Sequence, residues 1–175
     1  SVALGMARAR TLSKSDYDVV AVVGDGALTG GLAFEGLNNA GNSKADLLVI
    51  LNDNQMAIDK ETGALHNHLL KIATSERYNR IKTNVWERLG ERSLRSFLQK
   101  QVKNFKRLFG IRPETQSLFD SLGFRYFGPI DGNDIDAVVS TLKKLHSMKG
   151  PRILHCITTK GKGYAPAEGD QTGWH

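Results

Sequence analysis

The sequence predicts an α/β fold, a parallel sheet with helices on both faces, interrupted by a helical insertion at about residues 75–112. Three observations carry that expectation. Apolar, β-branched runs at residues 19–23 and 47–51 have the continuous character of strands buried on both faces. Between them, residues 30–40 place Leu32, Phe34, Leu37 and Ala40 on one helical face. A second strand–helix–strand unit follows at residues 124–158, as expected if it extends the same parallel sheet.

Taken in order, residues 1–11 read as a helix, with Val2, Leu4, Met6 and small alanines packing closely, and residues 13–18 as a polar loop. The first strand stops at Gly24-Asp25-Gly26, where glycines permit a sharp turn and close approach of a ligand. After the second strand comes the polar cluster Asn52-Asp53-Asn54, then a turn-rich loop at residues 59–63. His66 and His68 stand two apart, a spacing that does not share a helix face, so loop hydrogen bonding is expected there rather than a metal pair. Residues 75–108 carry helical apolar stripes, and Arg112-Pro113-Glu114 punctuates the chain. A short amphipathic helix at residues 115–122 is expected to end at Gly123. A strand at 124–127 and a turn at 128–132 lead to a helix at 135–148 capped by Asp134, with Ile135, Val138, Val139, Leu142 and Leu145 facing inward. Gly150-Pro151 ends that helix before a buried strand at 152–158. A basic, glycine-rich segment, Lys160-Gly161-Lys162-Gly163-Tyr164, then leaves the strand's carboxyl end, a position suited to meeting phosphate.

Composition bounds the function. The chain of 175 residues suffices for one domain with a substantial core, and 40% hydrophobic and 24% charged residues argue against overall disorder. No apolar run of 18 residues occurs, so neither a membrane span nor a membrane partner is expected. The opening SVALGMARAR lacks the features of a signal peptide and an initiator Met, and reads as the start of an excised or incomplete piece. The single Cys156 excludes an internal disulfide, fits a cytoplasmic location, and lies in the apolar run ILHCIT as a core residue. A net charge of +6 raises the possibility of a non-catalytic nucleic-acid-binding module. The excess sits between residues 77 and 112, where Trp86, Phe97, Phe105 and Phe109 fall at helix-like intervals, so a solvated basic face and no nucleic-acid partner is the favoured reading.

The chemistry is carried by where the polar groups fall. In an open parallel sheet, ligands bind beyond the carboxyl ends of the strands, and two such ends carry Asp25 and Asn54. A carboxylate and an amide oxygen are hard ligands of the kind Mg2+ takes, with phosphate and water completing the octahedron. Turn N–H groups and a helix N-terminus can hold a diphosphate. The residues alone therefore suggest a Mg–diphosphate site.

The spacing adds a resemblance. Gly-Asp-Gly followed by Asn 29 residues after the Asp resembles the signature of thiamine-diphosphate enzymes. That resemblance implies a thiamine-diphosphate-binding fold. It implies metal ligation by Asp25, Asn54 and the main-chain carbonyl of Met56, and diphosphate contacts from the backbone of Gly26 and Ala27. GDGALTGGLAFEGLN, LNDNQMAI, LGFRYFGPIDGND, KGPRILH and TKGKGYAPAE, in that order, resemble more closely the 1-deoxy-D-xylulose-5-phosphate synthase family. Transketolase and pyruvate dehydrogenase E1 share the GDG…N element but fit the later segments less well. The family resemblance implies condensation of pyruvate with D-glyceraldehyde 3-phosphate to 1-deoxy-D-xylulose 5-phosphate and CO2, the first step of the non-mevalonate isoprenoid pathway. Thiamine diphosphate and Mg2+ are the implied cofactors and a homodimer the implied assembly. Tyr164 would contact the cofactor, His175 would act as an acid/base near the substrate, and Lys162 is a weaker candidate for a phosphate or substrate contact. Asn133 stands where a histidine is common in the family, and Ala57 and Asp59 stand where serines are common. Other elements the family needs are expected upstream and downstream, so this chain is read as part of the cofactor-binding domain, inactive in isolation. Membership in another transketolase-like thiamine enzyme is the alternative.

Overall fold

The computed structural model describes residues 1–54, 118–170 and 173. The expected insertion at 75–112, the loop at 59–63, His66, His68, Met56, Ala57, Asp59 and His175 lie outside the described residues. The elements, in order, are α1 (Val2–Ser13), β1 (Val20–Gly24), α2 (Asp25–Leu28), α3 (Gly31–Asn42), β2 (Leu48–Asp53), β3 (Arg125–Asp131), α4 (Ile135–His146), β4 (Arg152–Ile157) and α5 (Ala165–Gly169). The four strands form one parallel sheet in the order β1-β2-β4-β3.

The topology follows from two crossovers running in opposite directions. The chain passes from β1 at one edge inward to β2, and from β3 at the other edge inward to β4. Crossovers of one hand that run in opposite directions place their helices on opposite faces. The packing agrees. Leu4 and Ala7 of α1, Leu37 and Ala40 of α3, and Phe119 bury one face with Val49, Leu51, Tyr126 and Ile153. Leu145, with Leu142 beside it, covers Leu48, Leu154 and Cys156 on the other. Each fully buried Leu or Phe contributes about 1.5–3 kcal/mol through the apolar area removed from water. Burial also pushes the Cys156 thiol up to about 11, which fits the expected core residue and not a nucleophile.

The apolar faces are narrower than the sequence pattern predicts. β1 is an edge strand among the described elements, and the apolar cluster beneath α4 is built from residues of β2, β4 and β3. Val22 is consequently 70% exposed and Val20 half exposed, where burial on both faces was expected. In α3, Leu37 and Ala40 are buried while Leu32 is 72% exposed and Phe34 exposed. In α4, Ile135 is 70% exposed and Val139 exposed, at the end of the helix farthest from the buried Leu145. Val2 and Met6 are likewise exposed. Asp134 caps α4 as predicted, its carboxylate accepting from the amides of Asp136 and Ala137.

Two glycines permit close backbone approach. A side chain at Gly41 in α3 would overlap the Leu122 carbonyl, and Gly123, at φ +84°, closes the same contact. At the amino end of the sheet, Asp46 gathers Arg10, Lys149 and Arg152, and also accepts the Gly150 amide. Burial lowers the Arg152 guanidinium from its ordinary pKa, and Asp46 counters that effect.

Candidate cofactor site at the carboxyl end of the sheet

Because all four strands run the same way, every strand exit lies on one rim. Gly24 of β1 pairs in register with Asn52 of β2. Asp25 follows Gly24 directly, and Asn54 lies one residue beyond β2. The two candidate metal ligands therefore leave adjacent strands side by side. Asp25 is 3% exposed and Asn54 half-buried.

The local backbone differs from the expected glycine turn. Gly24 is extended at φ −71°, and the chain passes straight into the helical turn α2, with Asp25 as its first residue. The positive-φ glycines of the described chain lie elsewhere, at 123, 128, 150, 161 and 163. Glycine at position 24 leaves room rather than enabling a bend, since a Cβ there would meet nothing within 4 Å. The Gly26 amide donates to Asp25 Oδ1 at 3.1 Å, while the carbonyls of Gly26 and Ala27 accept from Thr29 and Gly30. Gly26 and Ala27 thus sit in the first turn of α2, where amides lack an acceptor within the helix.

The exits of β2, β4 and β3 are stitched together. Thr158 Oγ1 donates to Asn52 Oδ1 at 2.8 Å, and the Thr158 amide donates to the Asp53 carbonyl at 2.8 Å. The Gly132 amide donates to the Ile157 carbonyl. Asn133 Oδ1 accepts from the Thr159 amide at 2.7 Å, which clips the β3 exit to the loop after β4.

That loop brings Lys162 and Tyr164 to the same rim. It turns at Gly161 (φ +74°) and Gly163 (φ +92°), then enters α5 with Tyr164 as N-cap, 52% exposed. Glu168 accepts the Gly163 amide at 2.8 Å and pairs with Lys162 Nζ at 3.5 Å. The Gly163 amide, and next Lys162, hold the Glu168 carboxyl below its ordinary pKa. Lys162 is therefore directed to Glu168 and not toward open rim.

Sequence reasoning overlooked a buried array beneath the rim. His155, fully buried, places Nε2 2.9 Å from Asp53 Oδ2 and Nδ1 2.7 Å from the Tyr126 hydroxyl. With Asp53 as carboxylate, one tautomer satisfies every partner: Nε2–H donates to Asp53 and Nδ1 accepts from Tyr126. Burial, then the Asp53 charge, drives the Tyr126 pKa far above its ordinary value, keeping the hydroxyl a donor. Tyr126 stacks on Phe119 at 5.7 Å and meets the His155 ring edge-on at 5.9 Å. A side chain at Gly128 (φ +115°) would come within 2.6 Å of the His155 carbonyl, so glycine lets β3 lie close over β4 here. A lone histidine in an otherwise apolar strand was the available signal.

Comparison with known proteins decides the family. Residues 1–158 match the family model for 1-deoxy-D-xylulose-5-phosphate synthase. The chain belongs to the 1-deoxy-D-xylulose-5-phosphate synthase family. It is 45% identical over 178 residues to the 1-deoxy-D-xylulose-5-phosphate synthase of Chlorobium luteolum, and 48% identical over 178 residues to that of Cytophaga hutchinsonii. Each match covers 100% of this chain and 28% of the relative, so the chain spans little more than a quarter of these synthases. Among solved structures, transketolase from Campylobacter jejuni aligns with a TM-score of 0.50 at 19% identity, covering 91% of this chain and 19% of that one. That likeness is one of fold, and it accords with the parallel sheet described above.

Proposed function

We propose that this chain forms the diphosphate- and Mg2+-binding part of a thiamine-diphosphate-dependent 1-deoxy-D-xylulose-5-phosphate synthase. The whole enzyme would condense pyruvate with D-glyceraldehyde 3-phosphate, releasing CO2. The observation that carries the reading is the placement of Asp25 and Asn54 at the exits of two paired parallel strands. The donor set fits Mg2+: a nearly buried carboxylate, an amide oxygen, and the open space a Cβ at Gly24 would fill. A donor set of this size suits a metal that takes only part of its shell from protein.

When bound, thiamine diphosphate supplies the carbanion chemistry. The chain's own residues hold and orient. Asp25 and Asn54 would ligate Mg2+ together with the Met56 carbonyl, and the Ala27 amide, with the Gly26 amide once it leaves Asp25 Oδ1, would meet the diphosphate. Tyr164, exposed on the same rim, would pack against the cofactor, and Lys162 would reach phosphate only by leaving Glu168. His175 would shuttle protons near the substrate, a task suited to a side chain titrating near neutral pH. A cytoplasmic homodimer feeding isoprenoid and thiamine biosynthesis completes the proposal.

Isothermal titration of the full-length protein with thiamine diphosphate, with and without Mg2+, tests the site. Wild type should bind in a Mg2+-dependent manner, and Asp25→Ala should abolish that dependence. Equal binding by the two proteins would overturn the assignment. Turnover with pyruvate, and not with a ketose phosphate donor, separates the synthase from another transketolase-like enzyme.

A further inference from the structure

The array beneath the rim has a geometry that core packing alone does not require. Replacing both partners of a buried hydrogen bond by apolar groups of the same shape can be nearly neutral or stabilising, so stability is a weak reason for Asp53 and His155. What an apolar pair lacks is direction. Asp53 is clamped twice: its carboxylate by His155 Nε2 and its carbonyl by the Thr158 amide. Asn54 is the next residue, so the orientation of the peptide leaving Asp53 sets where the Asn54 amide points. His155 is oriented in turn by the Tyr126 hydroxyl.

We propose that Tyr126 and His155 are positioning residues for the metal turn, fixing the Asp53 carboxylate and through it the direction of Asn54. This rests on the assignment of Asn54 and Asp25 as Mg2+ ligands. The chain of contacts spans three strands, β3 to β4 to β2, and ends one residue from the proposed ligand. Loss of the Tyr126 hydroxyl leaves Nδ1 without its hydrogen bond, so the imidazole is held at one nitrogen instead of two and its Nε2–H no longer fixes the Asp53 carboxylate in one direction. Phenylalanine keeps the stacking on Phe119, so packing is retained while direction is lost.

The test measures metal affinity, using Mn2+ as a spin probe in the full-length protein with thiamine diphosphate present. Partners behind a metal ligand are typically worth about tenfold to a hundredfold in affinity. Tyr126→Phe and His155→Leu should each weaken Mn2+ binding by about tenfold or more. His155→Gln, whose amide can still donate to Asp53, should recover most of the loss. A merely structural role would lower thermal stability in all three variants and leave Mn2+ affinity unchanged in whichever fold. Unchanged affinity in folded Tyr126→Phe would overturn the proposal even if His155→Leu fails to fold. Asp25→Ala is the control for the underlying assignment. If it binds Mn2+ like wild type, the ligand assignment falls and the positioning proposal with it.

Discussion

Asp25 and Glu168 show how differently two carboxylates on one rim are used. Asp25 is nearly buried at the start of a helical turn, whereas Glu168 is exposed and holds a loop in shape. Glu168 carries its own pH dependence. Its pKa in the folded chain lies below the ordinary 4.5, so the loop is supported above about pH 4.5 and that support is lost as pH falls through the lower, folded value. Following the Gly163 amide resonance through an acid titration should give a midpoint below 4.5; a midpoint at or above it would remove Glu168 as the clasp. At this scale, the placement of Asp25 and Asn54 at neighbouring strand exits was legible because apolar runs mark the strands that precede them. The partners of His155 were not, since Tyr126 lies 29 and Asp53 lies 102 residues away in sequence. Only folding brings three such residues together, and no local pattern encodes the pairing.

The elements were legible for the same local reasons, and less so in their burial. β-branched runs marked β1 and β2, short apolar runs marked β3 and β4, and Asp134 marked the start of α4, although β3 continues to Asp131 through residues read as a turn. Periodicity identifies the apolar side of a helix but not how far its neighbour extends, hence the exposure of Leu32 and Ile135. The sequence pattern also could not show that β1 would lie at an edge among the described strands. Close contacts between elements were silent in sequence as well. Gly41 looks like any helical glycine, and alanine would ordinarily favour a helix there. The contact with the Leu122 carbonyl reverses that expectation. Gly41→Ala should destabilise the fold by about 1–3 kcal/mol, as overpacking does. Urea unfolding would measure it, and a stabilised variant would show that α3 does not lie so close to the Gly123 corner.

At the scale of the molecule, fold and family were both legible, because strand order, strand exits and motifs agree. The chain nevertheless spans 28% of its curated relatives. A polypeptide confined to these 175 residues is expected to give no deoxyxylulose phosphate from pyruvate and glyceraldehyde 3-phosphate in a coupled assay. Product formed at a rate above the buffer blank would refute that.

The Asp46 cluster gives the parallel sheet a second meaning. Where neighbouring strands all point one way, the two ends of the sheet never exchange roles. Asp46 bolts the entrances of β2 and β4 to α1 by way of Arg10 and Arg152, while Asp25 and Asn54 stand at the exits. Durability and chemistry are thereby assigned to opposite poles of one layer. Reinforcement engineered around Arg10, Asp46 and Lys149 should raise the melting temperature without altering cofactor affinity, so this sheet can be toughened from its base while its rim is left to natural variation.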